Sequence, residues 1–382
     1  MKINIFGSTG IIGSKTIKII NNFFPKIRIN LLCANKNVNG LIKQANLIKP
    51  RYIYIDNKNY VKKLRDKVDK SIKILNFKQL KSHLNETKSY YSLLAVSGFK
   101  SLKYFDLIIQ NSSSIGLVSK ETVVSGGHLF KNFNFEKRNK IFPLDSEHFA
   151  IYKNLNILDK PLLNKLTLTA SGGPFLGKKF HELKNISFNQ ASKHPKWSMG
   201  YKNSIDSATL SNKCLELIEA HYLFDVDYNK LDILIHPESK IHSIFEFKNY
   251  LYNMIAFHNN MTIPIFHFLN QKFNYDLVDN NFKIQKNNQY NFTKVKKTEF
   301  PIYDFFKNLD KSSPATVIRF NAANEYAVDL FKNKMIRYTD IYKIIVEISS
   351  LNLNYKLNTI KDILEYHEIL KIKINEKLSL YI

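Results

Sequence analysis

The first 144 residues alternate short apolar runs with helical segments, and this alternation constrains the fold more than any other feature of the chain. Residues 3–6 predict a strand, a glycine-rich turn follows, and a helix is expected over 14–23. Further strands are predicted at 28–33, 52–56, 91–96, 115–118 and 141–144. Strands separated by helices form right-handed crossovers in a parallel sheet. The sequence therefore predicts an α/β domain that ends near residue 144.

The rest of the chain predicts two further kinds of structure. Residues 145–270 mix helices with longer strands, among them 231–235 and 241–247, which is typical of an α+β unit. Residues 271–297 are rich in Asn and Lys and are interpreted as a linker. Helices are then expected over 322–332, 338–351 and 359–373. The predicted fold class is α/β, with a Rossmann-like parallel-sheet domain at 1–144, a central α+β domain at 145–270 and a C-terminal helical bundle at 298–382.

The charge of the chain raises the hypothesis that it binds nucleic acid or an anionic surface. Its 57 lysines and arginines against 32 carboxylates give a net charge of +25, and such a charge attracts polyanions. Only six of these cations are arginine, the residue whose planar guanidinium usually serves specific phosphate and base recognition. A lysine excess over the whole chain is typical of compositional drift. We therefore expect no nucleic-acid partner.

Composition also limits the class of protein and its compartment. An apolar fraction of 44% excludes a disordered or fibrous chain, and no apolar run reaches the roughly 18 residues of a membrane span. Cys33 and Cys214 lie far apart, without CxxC or metal-ligand spacing, and indicate a reducing compartment. Because a strand is predicted from residue 3, no signal peptide is expected. The expected location is the cytoplasm, although a cleaved organelle transit peptide would leave no trace.

A glycine-rich turn separates the first predicted strand from the first helix. Gly7, Gly10 and Gly13 have the spacing G-x-x-G-x-x-G, a variant of the dinucleotide-binding fingerprint that places a pyrophosphate at a helix N-terminus. An NAD enzyme commonly has a carboxylate at the end of the second strand for the ribose 2′-hydroxyl. Residues 33–37 offer none but contain Lys36, and this favours NADP. The alternative is that Lys36 is an ordinary solvated lysine in a loop, with no role in cofactor binding.

Carboxylates are scarce in this chain, so their clustering is informative. Asp145 and Glu147 follow the last predicted parallel strand, at the sheet edge where such folds bind ligands. In extended geometry the two side chains would project to one face and could hold a hard cation such as Mg²⁺ or Mn²⁺. The alternative is that Asp145 or Ser146 caps a helix over the following residues.

A third carboxylate favours the metal interpretation. Residues 209–224 predict an amphipathic helix whose apolar stripe consists of Leu210, Cys214, Leu217 and Ile218. Asn212, Lys213 and Glu216 share another face of this helix. Together these three side chains could bind a phosphate and a metal ion. The alternative is an ordinary surface ion pair between Lys213 and Glu216.

Two segments that contain Gly and Pro carry further candidates. Residues 171–175 follow an apparent strand, and the hydroxyl of Ser171 with free backbone amides would suit an oxyanion. Residues 194–200 contain His194, the single tryptophan and a methionine, which predicts a lid that excludes water. Taken singly, His194, His236 and His242 are expected to be packed or exposed rather than catalytic.

In combination, these motifs resemble one family, the 1-deoxy-D-xylulose-5-phosphate reductoisomerases. The segments GSTGIIG, LDSEH, ASGGPF, KHPKWSMG, DSATLSNKCLELIEA, LIHPESKIHS and NAANE occur in the family's order and spacing. The resemblance implies NADPH- and divalent-metal-dependent rearrangement and reduction of 1-deoxy-D-xylulose 5-phosphate to 2-C-methyl-D-erythritol 4-phosphate in the non-mevalonate (MEP) isoprenoid pathway. It further implies a homodimer of V-shaped subunits, with NADPH bound by residues 1–144, and catalysis and dimerisation in residues 145–270.

The resemblance also implies residue roles. The metal ligands would be Asp145, Glu147 and Glu216. Catalytic roles would fall to Lys120, Glu147 and His194. The sugar phosphate would contact Ser146, Ser171, His194, Trp197, Met199, Ser207, Asn212 and Lys213. NADPH would contact Gly7, Ser8, Thr9, Gly10, Ile11, Ile12, Gly13, Asn35, Lys36, Asn37, Ser119, Lys120, Glu121 and Gly200.

Three positions depart from the family pattern. Ile11 stands where the family usually has Ser, Asn35 where it often has Gly, and Ser119 where it usually has Asn. Ile11 removes a hydroxyl near the pyrophosphate but keeps the backbone amide, and Ser119 shortens a polar side chain beside the nicotinamide. A third hypothesis is therefore the same fold with weakened or lost activity.

Overall fold

The computed structural model of the protein describes residues 1–130, 140–155, 160–197, 199–277, 289–353 and 355–377. Close packing divides the chain into two compact units. The first comprises Met1–Thr122, Phe133–Asp145 and Asn260–Asn281, and the second comprises Val123–Asn132, Ser146–Asn259 and Phe282–Ile382. The boundaries of the predicted three domains and linker stay a prediction, and residues 278–288 of that linker lie outside the described residues.

The first unit is built on a seven-stranded parallel sheet with the order β4-β3-β2-β1-β5-β6-β7. Its strands are β1 (Lys2–Phe6), β2 (Arg28–Ala34), β3 (Tyr52–Ile55), β4 (Lys73–Leu75), β5 (Ser89–Leu94), β6 (Ser112–Leu117) and β7 (Ile141–Pro143). The central strands are nearly continuous buried apolar runs, as expected where helices cover both faces of a parallel sheet. The predicted α/β class is confirmed.

Helices connect these strands. They are α1 (Ile11–Phe23), α2 (Val38–Ile48), α3 (Val61–Lys67), α4 (Phe77–Glu86), α5 (Leu102–Ile109) and the start of α6 (Lys120–Phe130). The strand order reverses between β1 and β5, and open α/β sheets bind ligands in the crevice at such a switch point. Gly7 leaves β1 with φ +82°, and a Cβ there would lie 2.3 Å from the carbonyl oxygen of Ala95. Only glycine therefore fits this turn.

The second unit contains a mixed five-stranded sheet with the order β11-β10-β8-β9-β12. Its strands are β8 (Leu163–Ala170), β9 (Leu231–Ile235), β10 (Ile241–Phe247), β11 (Tyr252–Ala256) and β12 (Thr293–Lys294). Only β8 and β9 pair in parallel; the other pairs are antiparallel. This mixture of strands and helices confirms the predicted α+β character.

The helices of the second unit carry most of the candidate site residues. They are α7 (Ser146–Lys153), α8 (Phe188–Ala191), α9 (Tyr201–Ala208) and α10 (Ser211–Phe224). One later helix, α11 (Thr262–Leu269), belongs instead to the first unit, where the Tyr91 hydroxyl donates to the Leu269 carbonyl at 2.7 Å. The C-terminal helices of the second unit are α12 (Pro301–Asn308), α13 (Pro314–Lys332), α14 (Asp340–Ser349) and α15 (Ile360–Glu376).

Several short elements differ from the sequence prediction. Strands β4 and β11 were not predicted, because one is only three residues long and the other is largely exposed. Helix α1 starts three residues before the predicted Ser14, since the loop turns directly into the helix after Gly10. Helix α13 starts at Pro314 rather than at Ala322. Within the described part of the chain, no helix combines the length and the apolarity that crossing a membrane requires.

Candidate active site

Two buried carboxylates meet in the second unit. Glu147 is 8% exposed and Glu216 is 0% exposed, and carboxylate oxygens of the two lie within 4.8 Å of each other. Glu147 lies in the first turn of α7, and Glu216 lies on α10. The expected extended geometry around Glu147 was wrong, because the helix begins at Ser146. The convergence of the carboxylates results from the approach of two helices.

Lys213 connects the two carboxylates. Its Nζ lies 3.1 Å from Glu147 Oε2 and 2.7 Å from Glu216 Oε2, and its side chain is almost fully buried. Asn212 also donates to Glu216 through its side-chain amide. The predicted shared face of Asn212, Lys213 and Glu216 is therefore present. Helix α10 is buried nearly all round, however, so this is a buried cluster and not a surface ion pair.

Two histidines surround the carboxylates. His242 Nδ1 lies 3.3 Å from Glu147 Oε1, and its Nε2 lies 3.2 Å from the Phe257 carbonyl oxygen. The His242 ring therefore lies between a carboxylate oxygen of the pair and a backbone carbonyl oxygen. His148, next to Glu147 in the chain, has its Nε2 3.0 Å from the backbone oxygen of Glu216. The sequence signal for His242 was weak, because a histidine within a strand is usually packed.

A pocket of neutral polar groups lies in the same unit. His194 Nε2 is 3.0 Å from Ser171 Oγ and 3.1 Å from Ser207 Oγ. Gly173, with φ +68°, permits this assembly because a Cβ there would lie 2.9 Å from the Ser207 carbonyl oxygen. The Gly173 amide donates to Ser171 Oγ at 3.2 Å. Three segments distant in the sequence thus bring their hydroxyl and imidazole groups together.

The hydrogen bonds of His194 fix its tautomer. Its Nδ1 accepts from the backbone amides of Lys196 at 3.1 Å and Trp197 at 2.9 Å, so the proton of the neutral ring is on Nε2. Burial, and then the positive charge of Lys213, lower the pKa of His194 to about 4. At neutral pH the ring is an uncharged donor to Ser171 or Ser207, and either hydroxyl can then donate to a ligand oxygen.

The predicted lid extends from this pocket. Its half-buried Trp197 packs edge-on toward His242, with ring centroids 6.4 Å apart, and Met199 is also half-buried. Ser198 lies outside the described residues. Gly200 is exposed and directly precedes α9. Lid, histidine pocket and carboxylate pair are therefore connected through contacts within the second unit.

The carboxyl ends of the strands in the first unit carry a separate set of candidates. Lys120 Nζ lies 3.1 Å from Asp145 Oδ2, and both residues are largely shielded from solvent. Ser119 is buried and donates to Glu121 Oε2 at 3.0 Å. This hydrogen bond orders the start of α6. Asp145 ends the Phe133–Asp145 segment of this unit, one residue before Ser146 and two before Glu147.

The glycine-rich loop has features of an anion site. Gly10 is the N-cap residue of α1 and offers no side-chain cap, so the backbone amides of the first turn have no side-chain acceptor from that position. Ser8 is fully buried, and its Oγ is a polar atom without a hydrogen-bond partner among the described residues. Ile11 is 51% exposed and Thr9 is half-buried. Ile12 and Gly13 continue the helix.

The end of β2 only partly matches the cofactor prediction. Asn35, Lys36 and Asn37 are exposed, and Asn37 Oδ1 caps α2 by accepting from the Gly40 amide at 2.9 Å. A carboxylate does follow the neighbouring strand: Asp56, which hydrogen bonds to Lys103 Nζ at 2.8 Å. Burial alone would raise the pKa of Asp56, but its hydrogen bonds to Lys103 and Tyr54 lower the pKa below the usual range.

Comparisons with known proteins decide the family. Models described as 1-deoxy-D-xylulose 5-phosphate reductoisomerase and its C-terminal domains match residues 3–127, 141–224 and 258–372. The protein of that name from Pelagibacter ubique (strain HTCC1062) is 37% identical over 351 residues, which cover 91% of this chain and 90% of the relative. This chain belongs to the 1-deoxy-D-xylulose 5-phosphate reductoisomerase family.

Other members of the family agree over nearly the full length. The reductoisomerase of Ehrlichia canis (strain Jake) is 37% identical over 371 residues, 95% of each chain. A crystal structure of DOX-P reductoisomerase with NADPH, fosmidomycin and magnesium matches with a TM-score of 0.90 and 28% identity, covering 100% of this chain and 98% of that chain. The Zymomonas mobilis reductoisomerase in complex with NADPH gives a TM-score of 0.83 at 27% identity, covering 99% and 98%. The resemblance predicted from the motifs is confirmed.

The lowered pKa of His194 predicts a pH dependence of stability. Between pH 6.5 and about 4 the unfolded chain takes up a proton that the folded site resists, so the free energy of unfolding decreases as the pH falls through this window. His194→Gln removes this contribution. We expect a shallower decrease in the variant than in the unmodified protein, measured by urea denaturation at pH 7, 6, 5 and 4. His194→Asn should behave like His194→Gln, and equal slopes in all three proteins would contradict the assigned burial of the neutral ring.

Proposed function

We propose that this chain catalyses the NADPH- and divalent-metal-dependent conversion of 1-deoxy-D-xylulose 5-phosphate to 2-C-methyl-D-erythritol 4-phosphate, in the MEP pathway of isoprenoid precursor synthesis. The observation that carries the proposal is the pair Glu147 and Glu216 held by Lys213, close enough to the Ser171–His194–Ser207 pocket for the Lys213 charge to lower the pKa of His194. Membership of the family indicates the reaction, and the side chains of this arrangement have the chemistry that the reaction needs.

The donor set fits a hard divalent cation. Carboxylate oxygens are the ligands that Mg²⁺ and Mn²⁺ prefer, and Glu147 and Glu216 place theirs within 4.8 Å of each other. A cationic group, the Lys213 ammonium, already occupies the position between them. We assign Asp145, two residues before Glu147, as the third ligand. The related crystal structure was obtained in complex with magnesium, which supports a divalent-metal requirement for this chain.

The glycine-rich loop fits a dinucleotide. The uncapped first turn of α1 and the buried, unpartnered Ser8 hydroxyl would be satisfied by a pyrophosphate. Residues 7–13, together with residues 35–37 and 119–121 and Gly200, are our proposed NADPH contacts. Exposed Lys36 suits a 2′-phosphate, and Lys103 neutralises Asp56, the carboxylate that follows the adjacent strand. The exposed side chain of Ile11 leaves its backbone amide available, so this departure from the family pattern is compatible with binding.

Each candidate site residue has a separate role in the proposed reaction. When bound, the divalent cation supplies Lewis-acid polarisation of the substrate oxygens, and NADPH supplies the hydride. Glu147 and Glu216 provide the negative charge that holds the cation, and Asn212 orients Glu216. Lys213 adds positive charge for an anionic substrate. Lys120, paired with Asp145, and Ser146, which donates to Glu147 at 2.8 Å, are assigned to the substrate backbone.

The histidine pocket suits the phosphate end of the substrate. Ser171 and Ser207 can donate to phosphate oxygens because His194 Nε2–H satisfies an acceptor position on one of them. Because the pKa of His194 is lowered to about 4, the neutral ring does not take up a proton from the bound phosphate. Binding energy from this non-reacting group can be used to close the lid of Trp197 and Met199 over the reacting carbons. The role of His194 is thus to position and to shield the substrate.

The first experiment follows NADPH absorbance with purified protein, 1-deoxy-D-xylulose 5-phosphate and Mg²⁺ or Mn²⁺. We expect substrate-dependent oxidation that EDTA abolishes, and Glu216→Gln should lower kcat by at least roughly 100-fold because a cation ligand is lost. Glu365→Gln, an exposed carboxylate on α15, is the control and should keep the original rate. A folded protein without substrate-dependent oxidation would refute the function, and an active Glu216→Gln would refute the ligand assignment.

We also infer that the protein acts as a homodimer in the cytoplasm. The second-unit sheet ends at β11, whose outer backbone edge has no neighbouring strand in the described residues. Exposed apolar side chains accompany this edge, with Leu251 61%, Tyr252 57% and Met254 50% exposed. An open apolar edge of this kind favours pairing with a second copy. Two cysteines, both buried and unpaired, agree with a reducing compartment.

Light scattering coupled to size-exclusion chromatography tests the dimer. The unmodified protein should elute with the mass of two chains, and Met254→Lys should shift it toward one chain because a charge on the β11 edge opposes pairing. Ile372→Lys, on an equally exposed apolar position of α15, is the control and should remain a dimer. An unmodified protein with the mass of one chain at micromolar concentration would overturn the assignment.

A further inference from the structure

Four neighbouring strands of the first unit have a cationic residue at, or immediately before, their first position. Lys2 opens β1, Arg28 opens β2 and Lys73 opens β4, while Arg51 immediately precedes β3. The strands are parallel and adjacent in the order β4-β3-β2-β1. Their amino ends therefore lie along one edge of the sheet, with the cations side by side. This edge is opposite the carboxyl ends, where the glycine-rich loop follows β1.

This arrangement is unfavourable without a counterion. Lys2 and Arg28 are direct partners in the register of β1 and β2, and like charges placed opposite each other destabilise a sheet. Within the described part of the chain, the side chains of Lys2, Arg28 and Arg51 form no ion pair with a carboxylate. Arg51 only lies over the Tyr52 ring, 5.4 Å from its centroid.

A cavity of about 630 Å³ opens among these cations. Its lining includes Lys2, Arg28, Lys49 and Arg51, and the remainder is asparagine and aliphatic side chains, without a single carboxylate. Of these four cations, Lys49 makes a loose ion pair on the surface, with its Nζ 3.9 Å from Asp69 Oδ2. Arginine is rare in this chain, yet two of its six arginines line this one cavity. A general lysine excess does not produce such a concentration.

The positive charges of Arg51 and Lys2 also affect the neighbouring side chain of His83. His83 packs its ring against Tyr52, with centroids 4.2 Å apart. Its pKa is lowered first by burial and then by the charges of Arg51 and Lys2, against a weaker opposing effect of Glu86. Arg51 and Lys2 therefore act together on the same region, as they would on a bound anion.

We propose that this cavity binds a small phosphate-bearing anion of the diphosphate or triphosphate class. The cations of β1, β2 and β3 extend over two inter-strand spacings, roughly 10 Å in total, which is more than a single phosphate can contact. A concave site suits a small anion better than a nucleic-acid duplex, which needs an extended surface. Strand β1 separates this cavity from the glycine-rich loop by about 16 Å, so the site is distinct from the proposed NADPH site.

Isothermal titration calorimetry with inorganic triphosphate tests the proposal, using the full chain at 150 mM NaCl, with and without saturating NADPH. We expect one triphosphate per chain at this site in both conditions. Arg28→Gln/Arg51→Gln should weaken the affinity at least tenfold, whereas Lys62→Gln/Lys63→Gln, the same charge change on exposed lysines of α3, should alter it less than threefold. Ser207→Ala, in the histidine pocket, should leave it unchanged.

Thermal denaturation provides a second readout that does not depend on heat of binding. Triphosphate should raise the Tm of the unmodified protein and of Lys62→Gln/Lys63→Gln, but not of Arg28→Gln/Arg51→Gln. Without triphosphate, the arginine variant should melt at or above the Tm of the lysine variant, because the repulsion at the strand ends is relieved. An affinity weaker than millimolar would overturn the proposal. So would an equal loss in both double variants, or a DNA duplex that displaces triphosphate at equal phosphate concentration.

Discussion

The contact between Lys213 and two buried carboxylates is the interaction on which the candidate site depends. Two ionised carboxylates within 4.8 Å repel each other by about 3 to 4 kcal/mol at the effective dielectric constant of a protein interior. The Lys213 ammonium contacts both and offsets this repulsion. Because Glu147 starts α7 while Lys213 and Glu216 lie on α10, the same contact joins the two helices. Two buried carboxylates this close together require a nearby cation, and this requirement favours a metal site.

The neutral pocket beside this cluster has a complementary role. His194 is kept uncharged by burial and by Lys213, so the positive charge available to an anionic substrate comes from the lysine and not from the imidazole. The lid begins at the same histidine, whose Nδ1 accepts from two lid amides. Helix α9 follows the lid and is anchored to α13 by the buried Asp206, which accepts from Asn324 at 3.0 Å. The histidine pocket and the predicted lid are therefore coupled through short covalent and hydrogen-bonded connections.

The sequence predicted the parallel sheet, the α+β region and the family, because long apolar strands and extended motifs carry strong signals. It also placed Asn212, Lys213 and Glu216 on one helical face. It did not predict that α10 is buried on all sides, since a charged face normally indicates solvent. The extended geometry expected for Asp145 and Glu147 was wrong, because Ser146 starts a helix. His242 lies beside Glu147 because segments that are distant in the sequence pack together. The local sequence LIHPESKIHS therefore could not predict this contact.

We propose that Glu147 and Glu216, with Asp145, hold a divalent cation. The most direct test of this proposal is Mn²⁺ binding measured by electron paramagnetic resonance on the purified chain without substrate or NADPH. We expect one bound Mn²⁺ per chain, with affinity reduced at least tenfold in Glu147→Gln and in Glu216→Gln. Unchanged Mn²⁺ affinity in both variants would contradict it.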